Sequence, residues 1–226
     1  MCYVAVAGAE ARFGRGSEVV FMVESQAVKE AVGALREGGV VLFPTDTVWG
    51  VGAAVTRLDG LSRLYAIKGR RLDKPTAVLV SGLAMAAELG KFTRAAAVLA
   101  KQHWPGGLTI VVRALKGMVP EIVRGGRNTV GLRAPDHELT LAILNRLGAG
   151  IVAGSANYAG AGAPRRFEMI DRRLLDVVDY VIRPSVGGAG ASPSEAGKFM
   201  PSTVVDTTKE PFKILREGPV ELADGQ

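Results

Sequence analysis

Helix-spaced and strand-like segments take turns along this chain, with Gly or Pro at most junctions, and that alternation restricts the fold more than any other feature. Val28, Ala31, Val32 and Leu35 fall at i, i+3, i+4 and i+7, the spacing of one helix face. Ser25 is placed to cap that helix, and Gly38-Gly39 to end it. Val40 to Phe43 then reads as a buried strand stopped by Pro44. The same reasoning predicts a helix capped by Asp59 with Leu61, Leu64 and Tyr65 on one face. A strand over 76–80, two short Ala-rich helices within 83–103, and strands over 108–112 and 129–132 follow. Asp136 is expected to cap a helix reaching Leu147. A short strand at 151–153, a helix over 167–175, and strands over 177–182, 203–206 and 212–215 complete the pattern. With no break in composition, it predicts one α/β domain.

Composition narrows the class. The 226 residues are 48% apolar and 22% charged, which sets aside disorder and a coiled coil. The 29 glycines show no triplet period, so they serve turns and close backbone approaches rather than a collagen helix. Cys2 is the only cysteine, which excludes an internal disulfide and a cysteine-based zinc site. His103 and His137 are the only histidines, and no metal site is expected. No run of 18 apolar residues occurs, and Glu10 and Arg12 stand where a signal peptide is apolar. The expectation is a soluble cytoplasmic chain with no membrane association. The formal charge of +6 favours polyanionic partners, whether nucleotides or nucleic acid.

Three segments are expected: an N-terminal extension or hairpin over 1–24 that turns at Gly14 to Ser17, a catalytic domain over 25–218, and a tail over 219–226. Residues 184–201 include Gly187, Gly188, Gly190 and Gly197, with Pro193 and Pro201. Such a stretch predicts a long loop, and its abutment on Ser202 suggests a lid.

The familiar nucleotide and hydrolase motifs are missing. There is no GxxxxGK followed by Ser or Thr, no GxGxxG opening a helix, no HExxH and no GxSxG. What remains is a series of polar residues placed mostly where predicted strands end, the crevice in which open α/β sheets bind ligands. Lys68, Arg70, Arg133 and Arg216, together with several hydroxyls, suit a ligand bearing phosphates and a carboxylate. Singly, each has an ordinary structural explanation. Thr45 and Thr47 fit a turn after Pro44, Lys68 to Lys74 a solvated helix end, Ser155 and Asn157 a hydrogen-bonded loop, and Trp104 the core.

In their order along the chain, however, these stretches resemble the YrdC-like threonylcarbamoyl-AMP synthases. The resemblance rests on Phe43 to Gly52 (FPTDTVWGVG), Lys68-Gly69-Arg70 with Lys74-Pro75, and Trp104 to Thr109 (WPGGLT). It continues through Val130 to Pro135 (VGLRAP), Ser155-Ala156-Asn157, Ser202 to Asp206 (STVVD) and Leu215 to Gly218 (LREG), covering about residues 25 to 218. It implies a twisted open mixed sheet with surrounding helices and a large basic concave cleft. It also implies formation of threonylcarbamoyl-AMP and pyrophosphate from L-threonine, bicarbonate and ATP, with Mg²⁺ bridging the triphosphate. The product would pass to a threonylcarbamoyl-transferase complex that modifies a tRNA adenosine.

By motif position, the resemblance puts ATP contacts on Lys68, Arg70, Lys74, Thr129, Ser155, Asn157 and Arg216, with Lys68 and Arg70 acting in catalysis. It puts threonine contacts on Thr47, Arg133, Ala153 and Ser202, with the Arg133 fork on the amino-acid carboxylate. Three departures accompany it: Leu79 where longer members carry His, Ala163 where they carry a Ser used for ATP, and the extended 184–201 stretch. The chain stops eight residues after Gly218, so the expectation is the short form without an extra C-terminal domain. The alternatives are a divergent paralogue with another acceptor and a non-catalytic module for double-stranded RNA or tRNA. Against the second, only 6% of residues are aromatic. A carbamoyl-transfer relative from hydrogenase maturation would need zinc-finger and acylphosphatase modules, and neither fits this length.

Overall fold

The computed structural model describes residues 15–184 and 200–222, with side chains from Gln26 onward. The expected lid therefore lies, over 185–199, outside the described residues, as does most of the expected extension. Where the expected extension is described, it is helical. The first helix, α1 (Arg15–Arg36), begins ten residues before Ser25 and runs across the expected 24/25 boundary. No Gly or Pro falls between Ser17 and Val32, so nothing in the chain interrupts the helix, and Ser25 is an interior position rather than a cap. Its face of Val28, Ala31, Val32 and Leu35 is buried as the spacing predicts.

Two other expected caps are displaced by one or two residues. Helix α2 (Leu58–Ile67) is preceded by Arg57 at the cap, without a side-chain bond. Asp59 sits in its first turn, 2.6 Å from Arg57, where its charge still favours the positive end of the helix. Helix α6 (Glu138–Leu147) is preceded by His137 rather than Asp136, and Glu138 supplies the first-turn charge. The expected 167–175 helix is two pieces, a 3₁₀ turn at Phe167–Met169 and α7 (Arg172–Val177). Asp171 divides them by accepting a bond from the Arg173 N–H at 2.9 Å. The Ala-rich pair is present as α3 (Leu83–Ala87) and α4 (Arg94–His103), and α5 (Glu121–Arg124) is a further short helix.

The strands are β1 (Val41–Phe43), β2 (Gly50–Ala54), β3 (Ala77–Leu79), β4 (Gly90–Lys91) and β5 (Leu108–Ala114). They continue with β6 (Thr129–Arg133), β7 (Ile151–Ser155), β8 (Tyr180–Val181), β9 (Thr203–Asp206) and β10 (Lys213–Arg216). They form one mixed sheet in the order β10-β9-β5-β6-β3-β7-β2-β1-β8, with β4 added beside β5. Strand β2 is unexpected, because GVGAA has few of the β-branched and aromatic residues strands favour. It is held instead by pairing on both sides, to β1 and to β7. Its Gly52 is forced by that packing, since a Cβ there would lie 2.7 Å from Ile151 Cγ2 and from the Val152 carbonyl.

Side chains alternate across a strand, and here the alternation separates core from cleft. One face presents Ile110, Val112, Val130, Leu132, Val78 and Val152 to a core shared with Leu61 and Leu64 of α2 and Leu99 of α4. The other face is only half covered. Helices α1 and α6 pack over its β1–β2–β7 end, against Val41, Phe43, Ala54, Leu79 and Ile151. The remainder, across β3, β6, β5 and β9, is left open.

Helix α6 also anchors the loop after β1. The buried Thr140 hydroxyl donates to the Pro44 carbonyl at 2.6 Å. Thr140→Val should therefore lower the unfolding free energy by about 1–3 kcal/mol, the cost of a buried carbonyl without a donor. Urea denaturation checks this, and an unchanged midpoint would mean that Pro44 finds another donor.

Candidate functional site

The uncovered half-face is the floor of a cavity of about 370 Å³. Ala77, Thr109, Gly131 and Val204 line it from one face of the sheet, while Arg133, Ser155 and Arg216 reach it from the ends of their strands, as the sequence reading expects. Small residues keep the floor low. A Cβ on Gly131 would come 3.2 Å from Thr109 Cγ2 and stand in the open space. A bulge brings in the last contributor: Ile214 pairs with Val205 but Arg216 with Val204, so two β10 residues advance against one. Leu215 and Arg216 consequently both reach the cavity. A larger cavity of about 470 Å³ lies between α4 and Ser81–Leu83, but it is mostly apolar, with Arg94 and Lys101 as its only charged lining residues.

Arg133 ends β6 and is buried at the centre of the site. Its Nη1 donates to Thr47 Oγ1 at 2.9 Å, its Nη2 to Asp46 Oδ1 at 2.5 Å and its Nε to the Gly106 carbonyl at 2.9 Å. Burial pushes the guanidinium pKa down, and Asp46 opposes that by favouring the charge. The loop carrying Thr47 and Asp46 is braced by Thr45, whose hydroxyl donates to the Val48 carbonyl at 2.7 Å and accepts the Thr47 N–H at 3.2 Å. Arg216 is held by two bonds to the Ser202 carbonyl, at 2.7 and 2.9 Å. Its Nη2 also reaches Ser202 Oγ at 3.1 Å, and that hydroxyl shares a 2.7 Å hydrogen bond with Thr109. Burial first, and the charge of Arg133 second, lower the Arg216 pKa.

Of the sequence-predicted residues, the cleft brings together Thr47, Arg133, Ala153 and Ser202 with Arg70, Thr129, Ser155 and Arg216. Arg70 donates to the Pro75 carbonyl at 2.6 Å. Lys68, Lys74 and Asn157 do not line the cavity. Lys74 is exposed on the loop beyond Arg70. Lys68 is buried behind the end of β7, where its ammonium donates to the Asn157 carbonyl at 2.9 Å and to the Ser155 carbonyl. Burial, with Arg70 adding a smaller effect, brings its pKa down to about 8. Asn157 closes the same loop, accepting from the Ser155 hydroxyl and donating to the carbonyls of Tyr158 and Ala161. Lys68 and Asn157 thus shape the segment that presents Ser155.

Sequence reasoning missed Asp46, Thr109, Asp206 and Arg127. Thr109 and Asp206 stand on β5 and β9 two residues from Val111 and Val204, which line the cavity with them. Arg127 lines the cleft from the turn before β6. Trp104, expected in the core, is half-buried against it, and its indole donates to the Leu108 carbonyl at 2.7 Å. Leu79 is at the cavity wall, paired in register with Arg133 and Ile151. Ala163 is half-buried and does not line the cavity.

Chemically, the arrangement offers four arginines and two hydroxyl pairs over a small-residue floor, an environment for anionic groups held close together. The Sua5/YciO/YrdC family model, described as telomere recombination, matches residues 33–218. A threonylcarbamoyl-AMP synthase of Pyrococcus abyssi is 32% identical over 203 residues, covering 89% of this chain and 57% of that protein. A Bacillus subtilis protein of the same name is 36% identical over 157 residues, covering 67% of this chain and 45% of its own length. The chain thus spans about half the length of these two relatives. The crystal structure of P. abyssi Sua5 complexed with L-threonine matches with a TM-score of 0.78 at 32% identity, over 86% of this chain and 54% of that one.

Proposed function

We propose that this chain, which belongs to the Sua5/YciO/YrdC family, makes threonylcarbamoyl-AMP from L-threonine, bicarbonate and ATP. The observation that carries the reading is the meeting of Arg133 and Arg216 in one cleft, one backed by Thr47 and the other by Ser202 and Thr109. That pairing suits two different anionic groups, a carboxylate and a phosphate, held side by side. The names of the relatives and the threonine bound to P. abyssi Sua5 support it.

The threonine amine takes up the carbon of bicarbonate, with loss of water, to give a carbamate. A carbamate oxygen attacks the α-phosphorus of ATP, the bond to the β-phosphate oxygen breaks, and pyrophosphate leaves. No protein nucleophile is required. Arg133 and Thr47 hold the amino-acid carboxylate, while Arg70, Ser155 and Arg216 face the phosphates and offset the charge that grows on the leaving group. Ala153 and Ser202 border the threonine, and Thr129 the nucleotide. Lys68 and Asn157 act through the loop they fix, and Lys74 meets the nucleotide from the rim. Mg²⁺ would be brought by the nucleotide and would supply further neutralisation of phosphate charge, since no cluster of three or more His, Cys, Asp or Glu among the described residues could hold it. The labile product passes to a threonylcarbamoyl-transferase acting on tRNA in the cytoplasm. Among the described residues, no helix is long and apolar enough to cross a membrane.

The test is pyrophosphate release from ATP. It should require L-threonine and bicarbonate together, dropping to background when either is left out. Release indifferent to threonine would favour another acceptor. Absence of turnover alongside salt-sensitive tRNA binding would favour an RNA-binding module.

A further inference from the structure

Asp46 is the one carboxylate bonded to Arg133 among the described residues, and its position is fixed on both sides. Thr45 braces its loop from within, and Thr140 of α6 holds the preceding Pro44 carbonyl. The ion pair is nearly sealed from water, with side-chain exposures of 7% for Arg133 and 9% for Asp46. Of the five N–H groups of the guanidinium, Gly106, Thr47 and Asp46 take three. One hydrogen is left on each terminal nitrogen.

A ligand carboxylate arriving at those hydrogens meets the fork, but also the fixed negative charge of Asp46, bonded to the same Nη2. Out of water, like charges at such range repel strongly. An ammonium on the carbon next to the ligand carboxylate removes the conflict, because it lets a net-neutral head group meet a net-neutral ion pair. Arg216, the charge that acts on Arg133 from the cleft, is positive and does not supply this discrimination. Asp206 lines the cleft as well, with Oδ1 accepting from the Thr208 N–H and hydroxyl at 2.9 and 2.7 Å, but the Arg133 partners are Gly106, Thr47 and Asp46.

We propose that Asp46 is a positioning and specificity residue that makes the Arg133 fork prefer zwitterionic α-amino acids to plain carboxylates. The inference rests on the reading that Arg133 takes the amino-acid carboxylate. Its test is calorimetric titration of the wild type and Asp46→Asn with L-threonine and with 3-hydroxybutyrate, which is threonine without its amino group. The wild type should bind 3-hydroxybutyrate about tenfold or more weakly than threonine, and Asp46→Asn should narrow that ratio about fivefold or more. A purely structural role for Asp46 would weaken both ligands alike and leave the ratio unmoved. Threonine preference in the wild type with an unchanged ratio in Asp46→Asn overturns this inference alone. A wild type that binds neither compound overturns the amino-acid reading and this inference with it. Equal binding of the two by the wild type also overturns the role of Asp46. Should the Asn variant not fold, Asp46→Glu gives the same readout. Moving the charge by one methylene should shift the ratio about threefold, and an unmoved ratio again counts against Asp46.

Discussion

Arg133→Lys should raise the threonine KM about tenfold or more while changing the ATP KM less than about threefold, in steady-state pyrophosphate release with the other substrate saturating. The guanidinium is planar and already divided among three partners on three sides. A lysine ammonium reaching the same place is a point charge that can satisfy Asp46 or Thr47, but it cannot keep the plane that leaves both terminal nitrogens open to a carboxylate. Arg133→Ala separates the structural cost from the functional one. It strands the Asp46 carboxylate in a buried site and should lower the unfolding free energy by about 3–5 kcal/mol. A lysine variant that keeps most of the stability but loses threonine affinity ties Arg133 to the ligand. An unchanged KM would remove Arg133 from the threonine site and leave it as the structural partner of Asp46.

The same residue shows what could be read from the sequence and what could not. Arg133, Thr47, Ser202 and Arg216 were legible because each stands in a short motif, and the strands β5, β6 and β9 because each is a short run rich in β-branched residues. A cleft was expected from the resemblance alone, but how it is built was not legible. Its floor includes Ala77 and Gly131, residues with no chemistry to notice, and it forms only when strands distant in sequence lie side by side. Asp46 was passed over for a different reason. Its partner is 87 residues away, and no periodicity connects a loop after β1 to the end of β6. Strand β2 escaped because its pairing on both sides, not its propensity, holds it in the sheet. The start of helix α1 is ambiguous in the sequence, because Ser25 is a good cap residue and only the absence of Gly and Pro over 17–32 speaks for an earlier start. Lys68 was recognised by its motif, yet its burial against two carbonyls depends on where the end of β7 packs, which local sequence does not encode.

That burial makes Lys68 the site of the other large effect. Its pKa is held down to about 8 from an ordinary 10.5, mainly because burial disfavours the charged form. Below pH 8 the residue is protonated in both folded and unfolded chains, and the folded protein bears the full cost of a buried charge. Above 10.5 it is neutral in both, and that cost is gone. Between the two, the unfolded chain holds a proton that the folded chain has released, so stability rises with pH. Lys68→Met removes the titration and orphans the Ser155 and Asn157 carbonyls, a loss that does not depend on pH. The stability of the wild type minus that of Lys68→Met should therefore grow by about 3 kcal/mol between pH 8 and 10.5. Denaturant titrations of both proteins across that range measure it, and groups titrating in common cancel in the difference. Parallel curves would mean that the two carbonyls hold the ammonium protonated against the cost of burial. Lys68 would then be a permanent charge behind Ser155, and its influence on the cleft electrostatic as well as structural.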